Sequence, residues 1–197
     1  MYSTKHLQEA FQRSVETKLI AQHELSQKIM NAGSLLVNSL RNGGKILSCG
    51  NGGSACDAMH FAAELLNRFQ FDRPSLPAVA LTADSATITA IANDYGYEEI
   101  FAKQISSLAN QNDALLAIST SGNSANVISA IKMAHKKGIR ILALTGKDGG
   151  KISNILHEND IELRAPSTAT TPRIQELHIL LIHCLCDYIE KTMFTEE

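Results

Sequence analysis

Five short apolar segments alternate with helical patterns along most of the chain, and this alternation limits the folds that it can adopt. The strand-like segments span 45–49, 78–82, 114–118, 139–145 and 160–164. The helical patterns span 55–69, 85–93, 98–109, 125–137 and 173–193. Parallel strands joined by helices form a sheet that is covered on both faces. The sequence therefore predicts an α/β fold with a doubly wound, five-stranded parallel sheet flanked by helices.

Residues 5–41 precede the first strand and read as one long helix or two successive helices. Apolar side chains recur there at helical spacing, beginning with Leu7, Phe11 and Val15. Such a region has more apolar surface than one small sheet can cover, so we expect it to pack against other subunits. We interpret residues 1–197 as a single domain, with an N-terminal helical region at 1–42 and an α/β core at 43–197.

The composition argues against several classes of function. The chain has 197 residues and a formal net charge of -2, without a basic block, so we expect no nucleic-acid partner. No apolar run is long enough to cross a membrane, and the polar start at 1–5 is unlike a signal peptide. The 4 cysteines show no paired-ligand spacing and are few for a disulfide scaffold. We therefore expect a reduced, cytoplasmic protein.

The most informative motif lies between the strand-like segment 114–118 and the helical pattern 125–137. It contains four hydroxyl side chains around one glycine: Ser119, Thr120, Ser121 and Ser124. At the start of a helix several backbone N–H groups lack partners, and the helix dipole favours negative charge. The alternative is that these residues only cap a helix, but so many hydroxyls predict a loop that binds phosphate.

A second glycine-rich turn follows the first strand-like segment. It contains Gly50, Asn51, Gly52, Gly53 and Ser54 and leads into a helix. Glycines here permit positive φ and close approach of a ligand to the backbone. The turn matches part of the dinucleotide-binding motif, but the acidic residue expected at the end of the next strand is missing. Two phosphate-sized turns without a nucleotide motif indicate a sugar phosphate.

Two helices carry the candidate proton-transfer groups. His60 and Glu64 are four residues apart on one helix, and Gln175 and His183 share a broad face of the last one. Glutamate and histidine could act as base and acid in an aldose–ketose isomerisation. The same four side chains offer nitrogen and oxygen ligands to a metal such as zinc. A solvated pair at His60 and Glu64, and a structural histidine at His178 or His183, remain the alternatives.

Taken together, these segments resemble the sugar isomerase (SIS) domain, and more closely the bacterial phosphoheptose isomerases. The matching segments are LSCGNGGS at 47–54, DAMHFAAEL at 57–65, AND at 92–94, ISTSGNSANVI at 118–128, LTGKDGG at 144–150 and RIQELH at 173–178. They occur in the expected order over nearly the whole chain. The resemblance implies a homotetramer with active sites between subunits. It also implies conversion of sedoheptulose 7-phosphate to D-glycero-D-manno-heptose 7-phosphate, the first step toward ADP-heptose for the lipopolysaccharide core.

The resemblance also assigns roles by motif position. Glu64 would be the base and His183 the acid of an enediol mechanism. Ser119, Thr120, Ser121 and Ser124 would hold the phosphate. The sugar would be lined by Asn51, Gly52, Gly53, Asn93, Asp94 and Gln175. Some members of the family bind zinc through residues that match His60, Glu64, Gln175 and His183.

One relative from another class shares these motifs. The DnaA initiator-associating protein has the SIS fold and acts by binding the replication initiator, which gives the alternative function. That relative lacks the carboxylate and the imidazole at the positions of Glu64 and His183, whereas this chain has both. One departure from some isomerases is Pro172, where they have an aspartate. Proline is suited to the first turn of a helix, so the fold tolerates it.

Overall fold

The computed structural model describes residues 2–194. The helices are α1 (Thr4–Arg41), α2 (Gly53–Leu66), α3 (Ser85–Tyr95), α4 (Ala102–Leu108), α5 (Ala125–Lys136), α6 (Gly150–Ser153) and α7 (Thr171–Phe194). The strands are β1 (Ile46–Cys49), β2 (Ala78–Ala80), β3 (Ala114–Ser119), β4 (Arg140–Thr145) and β5 (Ile161–Arg164). The prediction of a single domain over 1–197 also includes residue 1 and residues 195–197, which lie outside the described part.

The five strands form one parallel sheet in the order β2-β1-β3-β4-β5. Ile46 of β1 pairs with Ala78 on one side and Ala114 on the other, and Ala114 in turn pairs with Arg140. Each of the four connections between successive strands contains a helical segment. The α/β fold with a five-stranded parallel sheet, predicted from the alternation of segments, is confirmed.

The sheet is apolar on both faces, and each face has its own layer of helices. Leu116, Ile118 and Leu142 pack with residues of α1, α2 and α7, whereas their strand neighbours Leu115 and Ala117 pack with residues of α4 and α5. Successive side chains of a strand point to opposite faces. A strand buried on both faces therefore needs an uninterrupted apolar run, and every residue of β3 is buried.

The long N-terminal region is a single helix. The second half of α1 has one buried face, which includes Leu25, Leu36 and Leu40 and packs along α7. A Cβ atom at Gly33 would collide with the ring of Tyr188 on α7, so glycine permits this close approach. The first half of α1 instead leaves a row of large apolar side chains exposed: Leu7, Phe11, Val15 and Leu19.

Two predicted helices differ from the observed ones at their ends. The segment 98–109 begins as a 3-10 turn, Tyr97–Glu99, after Gly96 ends α3 with a φ of 97°, so α4 starts only at Ala102. The pattern over 55–69 predicted a longer α2, but that helix ends at Leu66. The guanidinium of Arg73 accounts for this end, because it donates to two carbonyl oxygens of the last turn. The short α6 was not predicted.

No helix within residues 2–194 is long and apolar enough to cross a membrane. The 24 residues of α7 are interrupted by charged and polar side chains, among them Arg173, Glu176 and Glu190.

One buried histidine fastens α7 to the sheet, and it makes stability depend on pH. His178 Nε2 donates to the carbonyl oxygen of Thr145 at 2.8 Å, and burial lowers the pKa of His178 from 6.5 to about 4. The unfolded chain therefore takes up a proton at higher pH than the folded one. Stability contributed by neutral His178 is present above pH 6.5 and decreases as the pH falls towards 4.

We expect His178→Gln to remove part of the acid sensitivity of the fold. For the unaltered chain, this histidine alone should lower the free energy of unfolding by about 2 kcal/mol between pH 7 and pH 5. Glutamine retains a donor without titrating in that range. Urea unfolding at both pH values and at one protein concentration measures the difference. An equal decrease in the variant would contradict the assignment.

Candidate active site

The order of the strands creates a crevice at one end of the sheet. β1 and β3 are neighbours, but the chain leaves β1 toward α2 on one face and β3 toward α5 on the other. Beyond the carboxyl ends of two such strands the connections diverge, and open α/β sheets bind their ligands there. Both polar turns predicted from the sequence lie at this place, because they follow β1 and β3 directly.

The turn after β3, residues 119–124, forms a compact loop at the start of α5. Ser119 Oγ and Ser124 Oγ lie 3.0 Å apart, and Ser121 Oγ accepts from the backbone N–H of Asn123 at 3.2 Å. Gly122 has a φ of 65°, and a Cβ atom there would collide with the carbonyl oxygen of Gly149. The loop thus presents hydroxyl groups and the amino-terminal end of a helix in one concave segment.

The turn after β1 approaches α7 closely. Gly52 has a φ of 55°, the left-handed region that favours glycine, and caps the start of α2. A Cβ atom at Gly53 would collide with the side-chain amide of Gln175. Ser54 is buried as α2 begins. The glycines predicted to let a ligand approach the backbone therefore also let α7 approach it.

A pair of asparagines joins the two loops. Asn51 Nδ2 donates to Asn126 Oδ1, and Asn126 Nδ2 donates to Asn51 Oδ1, each at 2.8 Å. The hydroxyl of Tyr97 adds a third hydrogen bond, to Asn51 Oδ1 at 3.1 Å. Asn126 is 2% exposed, so this reciprocal pair of hydrogen bonds is largely buried. The pair fixes the separation of the two loops.

The candidate proton-transfer residues meet around one imidazole. His60 Nε2 lies 3.0 Å from His183 Nε2 and 3.2 Å from Glu64 Oε1. The side chain of His60 is 41% exposed, and that of Glu64 is 22% exposed. Thus α2 and α7 bring His183 into contact with His60, which is 123 residues away in the sequence and has Glu64 beside it. The alternative of a solvated pair accounts for His60 and Glu64 but not for the contact with His183.

A buried ion pair holds α2 and α7 in this arrangement. Arg73 Nε donates to Glu190 Oε1 at 3.1 Å, with both side chains no more than 2% exposed. Glu190 also accepts from the backbone N–H groups of Phe69 and Gln70. Burial acts to raise the pKa of Glu190, but the backbone N–H donors and Arg73 outweigh it and lower that pKa on balance.

Gln175 is close to the loop after β1 rather than to the histidines. Its Nε2 lies 3.5 Å from Asp57 Oδ2, at the limit of a hydrogen bond. Burial raises the pKa of Asp57, while the contact with Gln175 and the charge of His60 partly oppose that rise. Asp57 is 7% exposed, so this carboxylate orients Gln175 from beneath the site.

Asn93 and Asp94 are not joined to the rest of the predicted site. Both are exposed near the end of α3, and Asn93 Nδ2 donates to Asp94 Oδ1 at 2.8 Å. None of the hydrogen bonds within residues 2–194 links either of them to the two loops. Their role in lining the sugar stays a prediction. Thr120, half-buried in the loop after β3, likewise has a predicted role only.

The alternative of a structural histidine applies to His178. It is fully buried, and its bond to the carbonyl of Thr145 holds α7 against the end of β4. His183, in contrast, is only partly buried and faces another imidazole. The sequence alone could not distinguish these two histidines, because both lie in the same apolar helix.

Three of the four predicted zinc ligands suit a zinc ion by type. Zinc prefers imidazole nitrogen, carboxylate oxygen and thiolate sulfur. His60 lies within 3.2 Å of both Glu64 and His183, but Gln175 is turned toward Asp57. Among residues 2–194, one group of three His, Cys, Asp or Glu side chains has all its ligand atoms within 4.8 Å, and it is a different group. The ligand atoms of Glu64 and His183 are therefore not close to each other, although each residue is close to His60.

Sequence reasoning assigned no role to several residues that organise the site. Asn126 directly follows the serine-rich turn, yet a polar residue at the start of an amphipathic helix gives no sign of its buried partner. Arg73 lies in a polar loop, where arginine is ordinarily solvated. Asp57 is buried although its helix also carries exposed polar groups. Each of these three side chains has its side-chain partner at least 75 residues away in the sequence.

Comparisons with known proteins agree with this architecture. The family model of the SIS domain matches residues 10–146. A phosphoheptose isomerase from Shewanella sediminis is 55% identical over 193 residues, which is 98% of each chain. The structure of phosphoheptose isomerase from Neisseria gonorrhoeae matches with a TM-score of 0.90 and 47% identity, over 95% of this chain and 98% of that one. That of a phosphoheptose isomerase from Francisella tularensis gives 0.93 and 46%, over 97% and 100%.

The matches extend over the whole described fold, including both loops and the two helices that carry the histidines. Identity of this extent over nearly the full length of both chains is shared by members of one family. The chain belongs to the SIS-domain family and, within it, to the phosphoheptose isomerases.

Proposed function

We propose that the chain converts sedoheptulose 7-phosphate to D-glycero-D-manno-heptose 7-phosphate through an enediol, the first step toward ADP-heptose for the lipopolysaccharide core. The observation that carries the proposal is the meeting of Glu64, His60 and His183 where α2, the helix that follows the glycine-rich loop after β1, packs against α7. The relatives named phosphoheptose isomerase supply the substrate class.

The phosphate binds in the loop after β3. Ser119, Thr120, Ser121 and Ser124 donate hydroxyl hydrogen bonds, and the free N–H groups at the start of α5 add to them. Both sets of donors stabilise a bound phosphate dianion, and the positive end of the helix dipole adds to this effect. No lysine or arginine lies within 119–124, so the loop binds the anion through dipoles rather than a full charge.

The sugar chain extends from the phosphate toward α2 and α7. Asn51, Gly52, Gly53, Ser54 and Gln175 lie along this direction and hydrogen-bond its hydroxyls, with Asn93 and Asp94 at the rim. Glu64 removes the proton from the carbon next to the ketone, and His183 donates a proton to the carbonyl oxygen. Glu64 then returns the proton to the former carbonyl carbon, while His183 takes the hydroxyl proton from the neighbouring oxygen, which completes the shift from ketose to aldose.

Zinc is the proposed cofactor, bound by His60, Glu64 and His183, with Gln175 as the fourth ligand. When bound, a zinc ion would polarise the carbonyl and stabilise negative charge on the enediol oxygens. The two imidazole nitrogens lie 3.0 Å apart, close to the separation of about 3.3 Å between donor atoms on a tetrahedral zinc ion.

We further propose a cytoplasmic homotetramer. Exposed apolar side chains at Leu7, Phe11, Val15 and Leu19 recur every four residues along α1, so they form a continuous stripe. Contiguous exposed apolar surface marks interaction sites in proteins. The free thiols of the four cysteines are compatible with a reducing compartment. The initiator-binding alternative does not require the base and the acid, so the joint position of Glu64 and His183 favours the isomerase.

We expect Glu64→Gln to abolish most turnover while leaving substrate binding largely intact. Glutamine keeps the shape of the side chain but cannot accept the proton, so kcat should fall about 10²–10⁴-fold with little change in KM. Formation of the aldose from sedoheptulose 7-phosphate, monitored by NMR with and without added zinc, measures this. Glu158→Gln, at an exposed carboxylate outside the site, is the matched control. Full activity in the Glu64 variant would contradict the mechanism. An inactive but folded parent chain would instead favour the initiator-binding role.

The double variant Ser119→Ala with Ser121→Ala should weaken binding of the phosphate. Hydrogen bonds to a charged group contribute about 1.5–3 kcal/mol each, so we expect KM to rise tenfold or more while kcat changes less. Ser106→Ala, at an exposed position on α4, should leave both constants unchanged. A loss confined to kcat would show that the loop does not hold the phosphate.

Charged side chains within the apolar stripe of α1 should prevent assembly. Phe11→Asp with Leu19→Asp places two carboxylates where we propose that subunits meet, at side chains that are 75% and 57% exposed in the single chain. Sedimentation velocity should show a tetramer for the parent and a smaller species for the variant. Gln12→Asp, on the same helix but outside the stripe, serves as control. A monomeric parent would refute the proposed assembly.

A further inference from the structure

Two histidines and an aspartate meet at the end of the sheet opposite to the two loops. His135 lies in the last turn of α5, and His157 and Asp160 belong to the segment that leads into β5. Because parallel strands begin at this edge, the cluster is separated from the candidate active site by the length of the sheet. Neither the acid–base mechanism nor the phosphate loop uses any of these three side chains.

The ligand atoms of the cluster already converge. His135 Nε2 lies 2.7 Å from Asp160 Oδ2, and the rings of His135 and His157 stack with their centroids 3.6 Å apart. One nitrogen or oxygen of each residue lies within 4.8 Å of the other two. Donor atoms on a tetrahedral zinc ion are about 3.3 Å apart, given bonds of about 2.0–2.1 Å. Only small side-chain rotations therefore separate this cluster from a coordination site.

The carboxylate is held in place by the backbone. Asp160 Oδ1 accepts from the N–H of Ile141 at 3.0 Å, and Oδ2 accepts from the N–H of His157 at 2.8 Å. Its side chain is 3% exposed, and that of His135 is 13% exposed. Hydrogen bonds of this kind orient the ligands of metal sites. His157 is exposed, so an ion can reach the cluster from solvent.

We propose that His135, His157 and Asp160 bind one divalent transition-metal ion, and zinc is the ion that suits them best. Imidazole nitrogen favours zinc, copper and nickel, whereas magnesium and calcium prefer oxygen ligands. The carboxyl-terminal end of α5 is negative through its dipole, which favours a cation beside His135. Water completes the coordination.

The bound ion joins three elements of the fold. It connects the end of α5 to the segment before β5, and through Asp160 to the first residues of β4. An ion that binds only the folded chain stabilises it in proportion to the logarithm of its concentration. This site therefore acts on stability, and its occupancy should not alter the turnover of the distant active site.

The test counts zinc ions at each site separately. The full chain is stripped with a chelator, reloaded with zinc alone and dialysed, and its zinc content and melting temperature are measured. His157→Ala should hold one zinc ion fewer per chain than the parent and should lose the zinc-dependent rise in melting temperature, with turnover unchanged. His23→Ala removes an exposed histidine of α1 and should behave as the parent.

A second background separates this site from the proposed active-site zinc. In His60→Ala with His183→Ala, one zinc ion should remain, and adding His157→Ala should remove it. Cobalt bound in that background should show the visible absorption of tetrahedral coordination, which His157→Ala abolishes. Equal zinc content in His157→Ala and His23→Ala would overturn the proposal, whichever result the isomerase assay gives. If the double variant fails to fold, the zinc contents of His157→Ala and His23→Ala in the otherwise unaltered chain decide whether the site binds zinc.

Discussion

The buried ion pair of Arg73 and Glu190 determines how the two helices of the site meet. Arg73 belongs to the segment after α2, and Glu190 to α7, so the pair joins the helix that carries His60 to the helix that carries His183. The guanidinium also caps α2 by donating to the carbonyl of Glu64 at 2.7 Å. Removing one partner of a buried pair leaves an unpaired charge, at about 3–5 kcal/mol. The hydrogen bonds that compensate for burying Arg73 and Glu190 therefore also position α2 against α7, and so set the distance between the imidazoles of His60 and His183.

The order of the strands explains how the proposed phosphate loop and the proposed acid–base residues can share one crevice. α2 and α5 leave neighbouring strands toward opposite faces of the sheet, and the two loops diverge at their ends. The bonds between Asn51 and Asn126 then fix the width of the gap. A substrate with a phosphate at one end and a carbonyl at the other needs such a fixed separation, because the phosphate anchors it while proton transfer occurs elsewhere.

Apolar patterning was sufficient to predict the sheet, since β1, β3 and β4 consist mostly of apolar residues and are buried on both faces, apart from Arg140 at the start of β4. Helical spacing likewise predicted the positions of His60 and Glu64 on one face of α2. The partners of these residues were not predictable from spacing. Arg73 reaches Glu190 across 117 residues, and whether a histidine of α7 faces the sheet or the crevice depends on how that helix docks. Periodicity describes one element at a time, whereas the site depends on contacts between elements.

The polar side chains of the site differ from those of the surrounding core in how they are hydrogen-bonded. Among the buried side-chain nitrogen and oxygen atoms within residues 2–194, only His178 Nδ1 lacks a partner. The hydroxyls of Ser119 and Ser124, in contrast, hydrogen-bond to each other and to no other side chain among the described residues. One hydroxyl donates to the other, so the O–H of the second remains free to donate. An anion placed beside them would accept that donor without breaking any bond of the core. The pair of hydroxyls is therefore compatible with the phosphate binding that we propose for this loop.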